Sequence, residues 1–330
     1  MNGSNTQDVQ FEIINYLDHS YKKDVKEEIR EGLTARQKTI NCKYFYDARG
    51  SRLFEDICTL PEYYVTRTEL SILRNCAAEM VNFFDSGDLM ELGCGSSKKI
   101  EVLLDGLGGD RRGKSSYLPV DISETAVIDS SRALTAMYPE LKVTAIVADI
   151  TRQMAMITTE RPCALLFLGS TIGNFSASER FDFLSGIASS MKSEDRLLLA
   201  FDMVKDIGIL EAAYNDSRGV TAEFNKNALL VVNREVDGNF DPSNFAHVAH
   251  FDEDNLRIEM HLRALKACLV KCNALEMEIA FEEGETIHTE NSHKFTPSGI
   301  EAIVGQSGFN IEASYSDPEH WFSIMELSAV

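Results

Sequence analysis

Two glycines and an aspartate occur at a spacing that could bind the nucleoside part of a cofactor. The glycines lie in the segment Glu91-Leu-Gly93-Cys-Gly95, and Asp121 ends the next apolar stretch. Glycine lets the chain turn sharply at a strand end and lets a ligand approach the backbone, while an aspartate at the next strand end can accept hydrogen bonds from ribose hydroxyls. A dinucleotide-binding loop would have a third glycine where this chain has Lys98. The pattern therefore indicates a nucleoside-containing cofactor and disfavours a dinucleotide.

A doubly wound sheet would position these residues. Between residues 88 and 202, apolar stretches alternate with segments of helical spacing, which predicts an α/β domain of parallel strands. In such sheets ligands bind outside the carboxyl ends of the strands. The five predicted strand ends are Gly93, Asp121, Asp149, Gly169 and Asp202. We therefore expect these five positions to face one crevice.

The rest of the 330-residue sequence predicts a second unit and a pair of strands that closes the first sheet. Residues 11–17 predict a helix or a turn, and residues 205–294 predict helices followed by alternating strands, which is an α+β pattern. Two strands near the C-terminus are expected to close the first sheet as an antiparallel pair. The predicted domains are a cofactor-binding domain of residues 68–204 plus 295–330 and a substrate-binding α+β domain of residues 1–67 plus 205–294.

Charge and hydropathy argue for a small-molecule substrate. The formal net charge is −20, from 32 Lys and Arg against 52 Asp and Glu, and no basic stripe is visible. Nucleic-acid binding depends on clustered Lys and Arg, so no nucleic-acid partner is expected. The first eight residues lack the basic and apolar regions of a secretory signal, and no apolar run reaches the roughly 18–20 residues of a membrane span. We predict a cytoplasmic protein without a membrane partner and, from its acidic surface, a monomer.

The cysteines and histidines do not predict a metal site. Seven cysteines are an odd number at irregular spacing, which matches neither a disulfide framework nor a paired zinc motif. His247 and His250 resemble a metal-binding pair only superficially, and we interpret them as ordinary core or surface histidines. The prediction is that the protein holds no metal.

Several motifs resemble those of a known enzyme family. The glycine segment is similar to the acidic-x-Gly-x-Gly loop of class I S-adenosylmethionine-dependent methyltransferases. Further motifs, spread over nearly the whole chain and in the same order, resemble the L-histidine Nα-methyltransferases of ergothioneine biosynthesis. These motifs occupy residues 43–55, 60–68, 169–175, 202–206, 224–227 and 289–295.

The resemblance implies a two-domain enzyme with the class I methyltransferase fold, a Rossmann-like doubly wound sheet. It would trimethylate the α-amino group of L-histidine to the betaine hercynine, with S-adenosyl-L-methionine as the methyl donor. Asp121 is then expected on the ribose and Asp149 near the adenine amino group. The full set of cofactor contacts implied by the resemblance is Gly93, Lys99, Asp121, Asp149 and Ile150.

The resemblance also implies how the backbone end of the amino acid is held. Asn174 and Tyr214 would bind the carboxylate, and Tyr46 and Gly169 would lie near the amino group. Tyr63, or a water held by Tyr46 and Asn174, could accept the proton of the amine. Tyr46, Tyr63 and Asn174 are thus the candidate catalytic residues.

The resemblance also implies how the side-chain end of the amino acid is held. Glu290 and Ser292 are expected on the imidazole, where a carboxylate and a hydroxyl can engage both ring nitrogens. Phe54 would form part of the pocket wall with Tyr63, and Met260 would pack beside the ring. Cys94 departs from the family pattern, which often has serine in the glycine loop, and is expected to be a small packed residue.

Three alternatives stay open on sequence alone. The same scaffold could methylate another amino acid, such as a tryptophan-like substrate, or a ring nitrogen of histidine. The chain could also be a cofactor-binding regulatory protein without catalysis, although Tyr46, Tyr63, Asn174 and Tyr214 are all present.

Overall fold

The computed structural model describes residues 11–17, 19–157 and 159–330, with residues 19 and 20 described by their backbone only. The strands are β1 Glu12–Asn15, β2 Lys38–Thr39, β3 Asp88–Leu92, β4 Ser116–Asp121, β5 Lys142–Val147, β6 Cys163–Phe167, β7 Arg196–Asp202, β8 Phe245–Asp252, β9 Arg257–Ala264, β10 Cys268–Cys272, β11 Met277–Phe281, β12 Thr286–His293, β13 Phe309–Ser316 and β14 Phe322–Ala329. The α-helices are α1 His19–Thr34, α2 Ala48–Cys58, α3 Tyr64–Met80, α4 Lys98–Leu107, α5 Gly109–Arg112, α6 Glu124–Met137, α7 Ile150–Gln153, α8 Ala177–Ser190, α9 Ile207–Tyr214, α10 Val220–Val236 and α11 Pro297–Gln306.

A large sheet of eight strands carries the first unit. Its strand order is β1-β5-β4-β3-β6-β7-β14-β13, with parallel pairing from β1 to β7 and antiparallel pairing of β14 with both β7 and β13. Every residue of β3 and β6 is buried, as expected for parallel strands covered by helices on both faces. The predicted class I methyltransferase architecture, a doubly wound sheet closed by an antiparallel pair, is confirmed.

The prediction for residues 11–17 was wrong. Glu12–Asn15 is the edge strand β1, and Glu12 pairs in parallel with Thr144 of β5. Three of its four residues are exposed, so the segment lacks the alternation that identifies a strand, and pairing with β5 decides its conformation. The predicted domain boundary assigned residues 1–67 to the second unit, whereas this strand belongs to the large sheet.

The second unit contains a smaller sheet in the order β2-β12-β9-β8 and the separate hairpin β10-β11. Alternate residues of β9, beginning with Ile258 and Met260, are buried on the face that packs towards α9 and α10. The two units meet where the chain crosses between them, because the amide of Phe295 donates to the carbonyl of Asp202 over 2.9 Å. In the described part of the chain, no helix is long and apolar enough to cross a membrane.

Candidate active site

A cavity of about 1680 Å³ opens above the carboxyl ends of the parallel strands and reaches the smaller sheet. All five predicted strand ends line this cavity. Every residue predicted for the cofactor or the substrate also lines it: Tyr46, Phe54, Tyr63, Gly93, Lys99, Asp121, Asp149, Ile150, Gly169, Asn174, Tyr214, Met260, Glu290 and Ser292.

The glycine loop between β3 and α4 is shaped by its backbone. Gly93 has a φ of 72° and Gly95 a φ of 48°, in the left-handed region that favours glycine. The amides of Gly93 and Cys94 both donate to the carbonyl of Val120, which holds the loop against β4. No atom lies within 4 Å of a Cβ built on either glycine, so the space above the loop is open to a ligand.

Asp121 ends β4 directly beside this loop. One of its carboxylate oxygens accepts from the amide of Gly95 over 3.1 Å and the other from the amide of Ser123 over 2.9 Å. Burial raises the pKa of Asp121, and these backbone donors oppose the rise. The carboxylate is therefore oriented by the loop and by the start of α6, and it fits the ribose of a nucleoside cofactor.

Asp149 is already engaged by its neighbours. Oδ1 accepts from the amide and the hydroxyl of Thr151, and Oδ2 accepts from Lys43 Nζ over 3.1 Å and from Tyr21 Oη over 3.3 Å. Burial acts to raise the pKa of Asp149, but the Lys43 ammonium and the Thr151 donors bring it below its ordinary value. Contact with an adenine amino group stays a prediction, and it requires Asp149 to share an oxygen with these donors.

Lys99 and Gly169 are linked by a buried acid that the sequence analysis missed. Glu69 of α3 is fully buried, lies 2.8 Å from Lys99 Nζ, and accepts from the amide of Gly169 over 2.6 Å. Gly169 has a φ of 76°, and an added Cβ would lie 2.9 Å from Lys99 Nζ. Glu69 therefore joins α3 to α4 through its ion pair with Lys99, and to the end of β6 through the Gly169 amide.

An aromatic wall covers the side of the cavity next to α2 and α10. Tyr46 and Phe54 have ring centroids 5.8 Å apart, Phe54 and Tyr63 are 6.2 Å apart, and Tyr63 and Tyr214 are 6.2 Å apart. Phe224 of α10, to which the sequence analysis assigned no role, completes the wall at 5.9 Å from Phe54. Burial raises the pKa of Tyr46 and of Tyr63 well above the ordinary value, so both phenols are neutral.

Asn174 lies at the end of the short 3₁₀ helix Thr171–Asn174 that follows β6. Its side-chain amide is 3.8 Å from the sulfur of Cys42, which also lines the cavity. Burial raises the pKa of the Cys42 thiol, so this group is a neutral neighbour of the amide. Cys42 is a second cavity residue to which sequence reasoning assigned no role.

A buried lysine stands behind two of the predicted substrate ligands. Tyr214 Oη and Ser292 Oγ share a hydrogen bond of 2.7 Å, and Lys294 Nζ donates to Ser292 over 2.8 Å and to Tyr214 over 3.2 Å. The third donor of the ammonium is used on Asp202 Oδ2 over 2.7 Å. All three N–H groups of Lys294 are thus satisfied, although its side chain is fully buried.

Asp202 balances more than one cation. Lys205 Nζ lies 2.5 Å from its Oδ1, and Tyr64 Oη donates to the same carboxylate. Burial acts to lower the pKa of Lys294, but the Asp202 carboxylate holds it above the ordinary value. For Lys205 burial prevails and lowers the pKa to about 8. Asp202 is thus shared between two buried lysines, and one of them, Lys294, also donates to Tyr214 at the cavity wall.

Glu290 lies on β12 just after a bulge. The bulge falls between His288 and Glu290 and pairs Glu290 with Met260 of β9, and both residues line the cavity. Burial raises the pKa of Glu290 to about 7, and the Lys294 ammonium opposes the rise. The carboxyl group can therefore change protonation near neutral pH.

The missed residues had weak signals in the sequence. Glu69 interrupts the apolar stripe of α3, and an acid within such a stripe is rarely fully buried without a partner. Lys294 follows a run of polar strand residues and has the pattern of a surface lysine. Only the tertiary structure shows that both are buried.

The chain matches known proteins along most of its length. It is 40% identical over 313 residues to the "Histidine N-alpha-methyltransferase" of Mycolicibacterium smegmatis, covering 94% of this chain and 97% of that protein. It is 38% identical over 289 residues to the protein of the same name from Mycobacterium tuberculosis, covering 87% of this chain and 89% of that protein. It is also 29% identical over 283 residues to "Ergothioneine biosynthesis protein 1" of Schizosaccharomyces pombe, covering 82% of this chain and 36% of that longer protein.

The family model with the description "Histidine-specific methyltransferase, SAM-dependent" matches residues 25–329. This range includes the glycine loop, the aromatic wall and the strand that carries Glu290 and Ser292. The chain belongs to the family of histidine-specific, S-adenosylmethionine-dependent methyltransferases.

Proposed function

We propose that the protein transfers three methyl groups in succession from S-adenosylmethionine to the α-amino nitrogen of L-histidine, which yields hercynine. The observation that carries the proposal is one continuous cavity, lined at one end by Gly93 and Asp121 and at the other by Tyr214, Glu290 and Ser292. The first end fits a nucleoside and the second fits a polar amino acid. The family to which the chain belongs supports both assignments.

The cofactor would occupy the end of the cavity above the carboxyl ends of the parallel strands. S-adenosylmethionine supplies an electrophilic methyl group. Gly93 leaves its backbone open to this ligand, Asp121 accepts from the ribose hydroxyls, and Lys99, held by Glu69, lies next to Gly169. Asp149 and Ile150 at the start of α7 complete the proposed contacts, on the adenine side.

The substrate carboxylate would be bound by Asn174 and Tyr214. The buried ammonium of Lys294 lies directly behind Tyr214 and donates to its hydroxyl. A buried positive charge favours a bound anion at this position, because the interaction is weakly screened in a low-dielectric surrounding. The same charge disfavours an amine there, so it orients the amino acid with its amino group away from Lys294.

The imidazole would be bound by Glu290 and Ser292. A histidine ring has two nitrogens, of which one donates and the other accepts in the neutral form, and a carboxyl group and a hydroxyl can serve both. An indole has a single N–H donor and no acceptor nitrogen, so it could engage only one of Glu290 and Ser292, which favours histidine over a tryptophan-like substrate. Binding both ring nitrogens also disfavours methylation of the ring.

Methyl transfer requires a neutral α-amine, and the positioning of this amine against the methyl group supplies most of the rate acceleration. In each transfer the amine, after losing the proton of its ammonium form, would use its lone pair to form the new N–C bond while the methyl–sulfur bond of the donor breaks and its electron pair stays on the sulfur, which leaves as a neutral thioether. Tyr46 and Tyr63 are neutral phenols, so neither supplies a phenolate base, and a cavity water fits the role of proton acceptor better than Tyr63. The aromatic wall can stabilise the growing cationic head by cation–π contact.

Mass spectrometry tests this function directly. Purified protein is incubated with S-adenosylmethionine and an equimolar mixture of the twenty amino acids, and methylated products are fragmented. We expect histidine carrying three methyl groups that are lost together as trimethylamine, which places them on the α-nitrogen. A ring-methylated product or another preferred amino acid would overturn the substrate assignment. Binding of S-adenosylmethionine without any methylated product would support the regulatory alternative.

We also propose that the protein acts as a monomer in the cytoplasm. The net charge of −20 supports a monomer because like-charged surfaces repel. Light scattering coupled to size-exclusion chromatography tests this proposal, and a mass of twice 36.9 kDa would contradict it.

A further inference from the structure

The face of the smaller sheet that points away from its buried side carries a group of histidines and one glutamate. On β9, Glu259 and His261 alternate with the buried residues Ile258 and Met260, so both project from the opposite face. His250 of β8 is the direct cross-strand partner of Glu259. Three side chains that can ligate metals therefore meet on one face of two paired strands.

The sequence pair His247 and His250 does not form this group. Residues three apart on a strand point to opposite faces. His247 projects to the buried side, where Nε2 lies 2.9 Å from the carbonyl of Tyr214 and Nδ1 lies 2.9 Å from the side-chain amide of Asn225. His247 is thus a satisfied core histidine, while His250 faces outward.

We propose that His250, Glu259 and His261 form a binding site for a divalent transition-metal ion of the zinc class. Glu259 Oε2 lies 3.0 Å from His261 Nε2 and 3.8 Å from His250 Nε2, and all three ligand atoms lie within 4.8 Å of one another. Ligands about 2.1 Å from a tetrahedral zinc ion are separated by roughly 3.4 Å. The His250 and His261 rings are stacked with centroids 5.6 Å apart, so binding requires the half-exposed His250 ring to rotate towards Glu259 and His261.

The surroundings hold the carboxylate in the required orientation. Arg257 Nε donates to Glu259 Oε1 over 2.9 Å, which leaves Oε2 to face the two imidazoles. Such outer partners fix ligand orientation at metal sites. The side chains of Glu259 and His261 are only 16% and 13% exposed, whereas that of His250 is 50% exposed. The group is therefore anchored on the sheet and open to solvent on the side of His250.

The donor set selects the class of ion. Two imidazole nitrogens and one carboxylate suit Zn²⁺, Cu²⁺ or Ni²⁺, whereas Mg²⁺ and Ca²⁺ require oxygen ligands. Among the residues that the structure describes, this is the one group of three or more His, Cys, Asp or Glu side chains close enough to hold a metal ion. The proposal does not depend on the proposed function.

A bound ion would stabilise the sheet that carries the proposed imidazole ligands. Asn291 of β12 pairs with Glu259 of β9, and Glu290 pairs with Met260 on the cavity side of the same two strands. Because the ligands converge only in the folded chain, binding favours the folded state. The ion would lie on the far face of these strands and takes no part in methyl transfer.

Calorimetric titration of ZnCl₂ into tag-free, chelator-treated protein near neutral pH tests the site. We expect one site per chain, with affinity weakened by at least about tenfold in Glu259→Gln and in His250→Gln. His250 is half exposed, so its substitution should leave the fold intact, which circular dichroism checks. His320→Asn is the matched control, because it removes another exposed histidine and asparagine tolerates the positive φ of 54° at that position.

Three outcomes would overturn the proposal. One is equal zinc affinity in the wild type and in both site variants, and the second is an equal loss in the His320→Asn control. The third comes from the electron paramagnetic resonance spectrum of bound Cu²⁺, which should show coupling to two imidazole nitrogens and to one in His250→Gln. An unchanged nitrogen count in that variant would place the ion elsewhere.

Discussion

The two ends of the cavity are built in different ways. At the end next to the carboxyl ends of the large sheet, the ligand-facing surface is mainly backbone, with Gly93 and Gly95 at positive φ and with Asp121 oriented by two amides. At the other end the surface is made of side chains, Tyr214, Glu290 and Ser292, supported by buried charges. One end depends on conformation and the other on electrostatic balance.

This difference determines which substitutions should be harmful. A backbone site tolerates changes of side chain but not changes that alter φ. A site built on buried charge tolerates neither the loss of a partner nor a change of protonation, because an uncompensated buried charge is costly. The following experiments test this contrast.

The largest effect is expected from Asp202→Asn. The substitution leaves Lys294 and Lys205 buried without their carboxylate, and breaking a buried ion pair typically costs about 3–5 kcal/mol of unfolding free energy. Urea denaturation measures this quantity. Asp254→Asn, in an exposed turn, is the control and should change stability by less than about 0.5 kcal/mol. A small effect at Asp202 would show that the buried cluster does not support the fold.

Glu290→Gln should reduce catalysis while raising stability. Loss of a hydrogen bond to a charged group, about 1.5–3 kcal/mol, corresponds to a decrease of about 10–100-fold in kcat/KM for histidine. Steady-state kinetics measure the decrease, and exposed Glu253→Gln serves as the control. An unchanged kcat/KM would remove Glu290 from the proposed imidazole site.

The same variant has a pH signature. Burial raises the pKa of Glu290 to about 7, so the wild type has a stabilising contribution that is present below the unfolded pKa of about 4.3 and is lost as pH rises through about 7. Glutamine does not titrate. The stability of Glu290→Gln relative to the wild type should therefore increase between these pH values, by up to about 4 kcal/mol. A pH-independent difference in urea denaturation would contradict this expectation.

Gly93→Ala should weaken cofactor binding by an intermediate amount. Alanine favours relaxation of the free loop away from a φ of 72°, and restoring this conformation on binding would cost about 1–2 kcal/mol, which corresponds to a Kd for S-adenosylmethionine that is about 5–30-fold higher. Calorimetry with S-adenosylmethionine measures the change. Gly305→Ala is the matched control, because this glycine lies in α11 and no atom is near an added Cβ. Equal Kd values for both variants would show that the loop does not need this conformation.

Cys94→Ser should have the smallest effect. The thiol is buried, but the loop is held by the Cys94 amide on Val120 and by the neighbouring glycines. We expect the Kd for S-adenosylmethionine to change by less than about 3-fold, which is under about 0.7 kcal/mol. A larger change, measured in the same calorimetric assay, would mean that the side chain at this position also shapes the site.

The same contrast explains what could be predicted from the sequence. The glycine loop and Asp121 were predicted correctly as parts of one crevice, because strand-to-helix turns depend on local residue types. Glu290 and Ser292 were assigned through resemblance to a family, and no local pattern indicates them. Lys294 and Glu69 were missed because their burial results from packing between distant segments. The strand conformation of Glu12–Asn15 was missed for the same reason.

The position of β14 in the sheet bears on how the chain is made. β14 follows every other described strand in sequence, yet it lies between β7 and β13 and pairs with both. During synthesis, more than 100 residues must therefore be added after β7 before its partner strand exists. An unpaired apolar edge is prone to aggregate. A chaperone that shields this edge of β7 would consequently have to stay bound until residues 322–329 are available to pair with it.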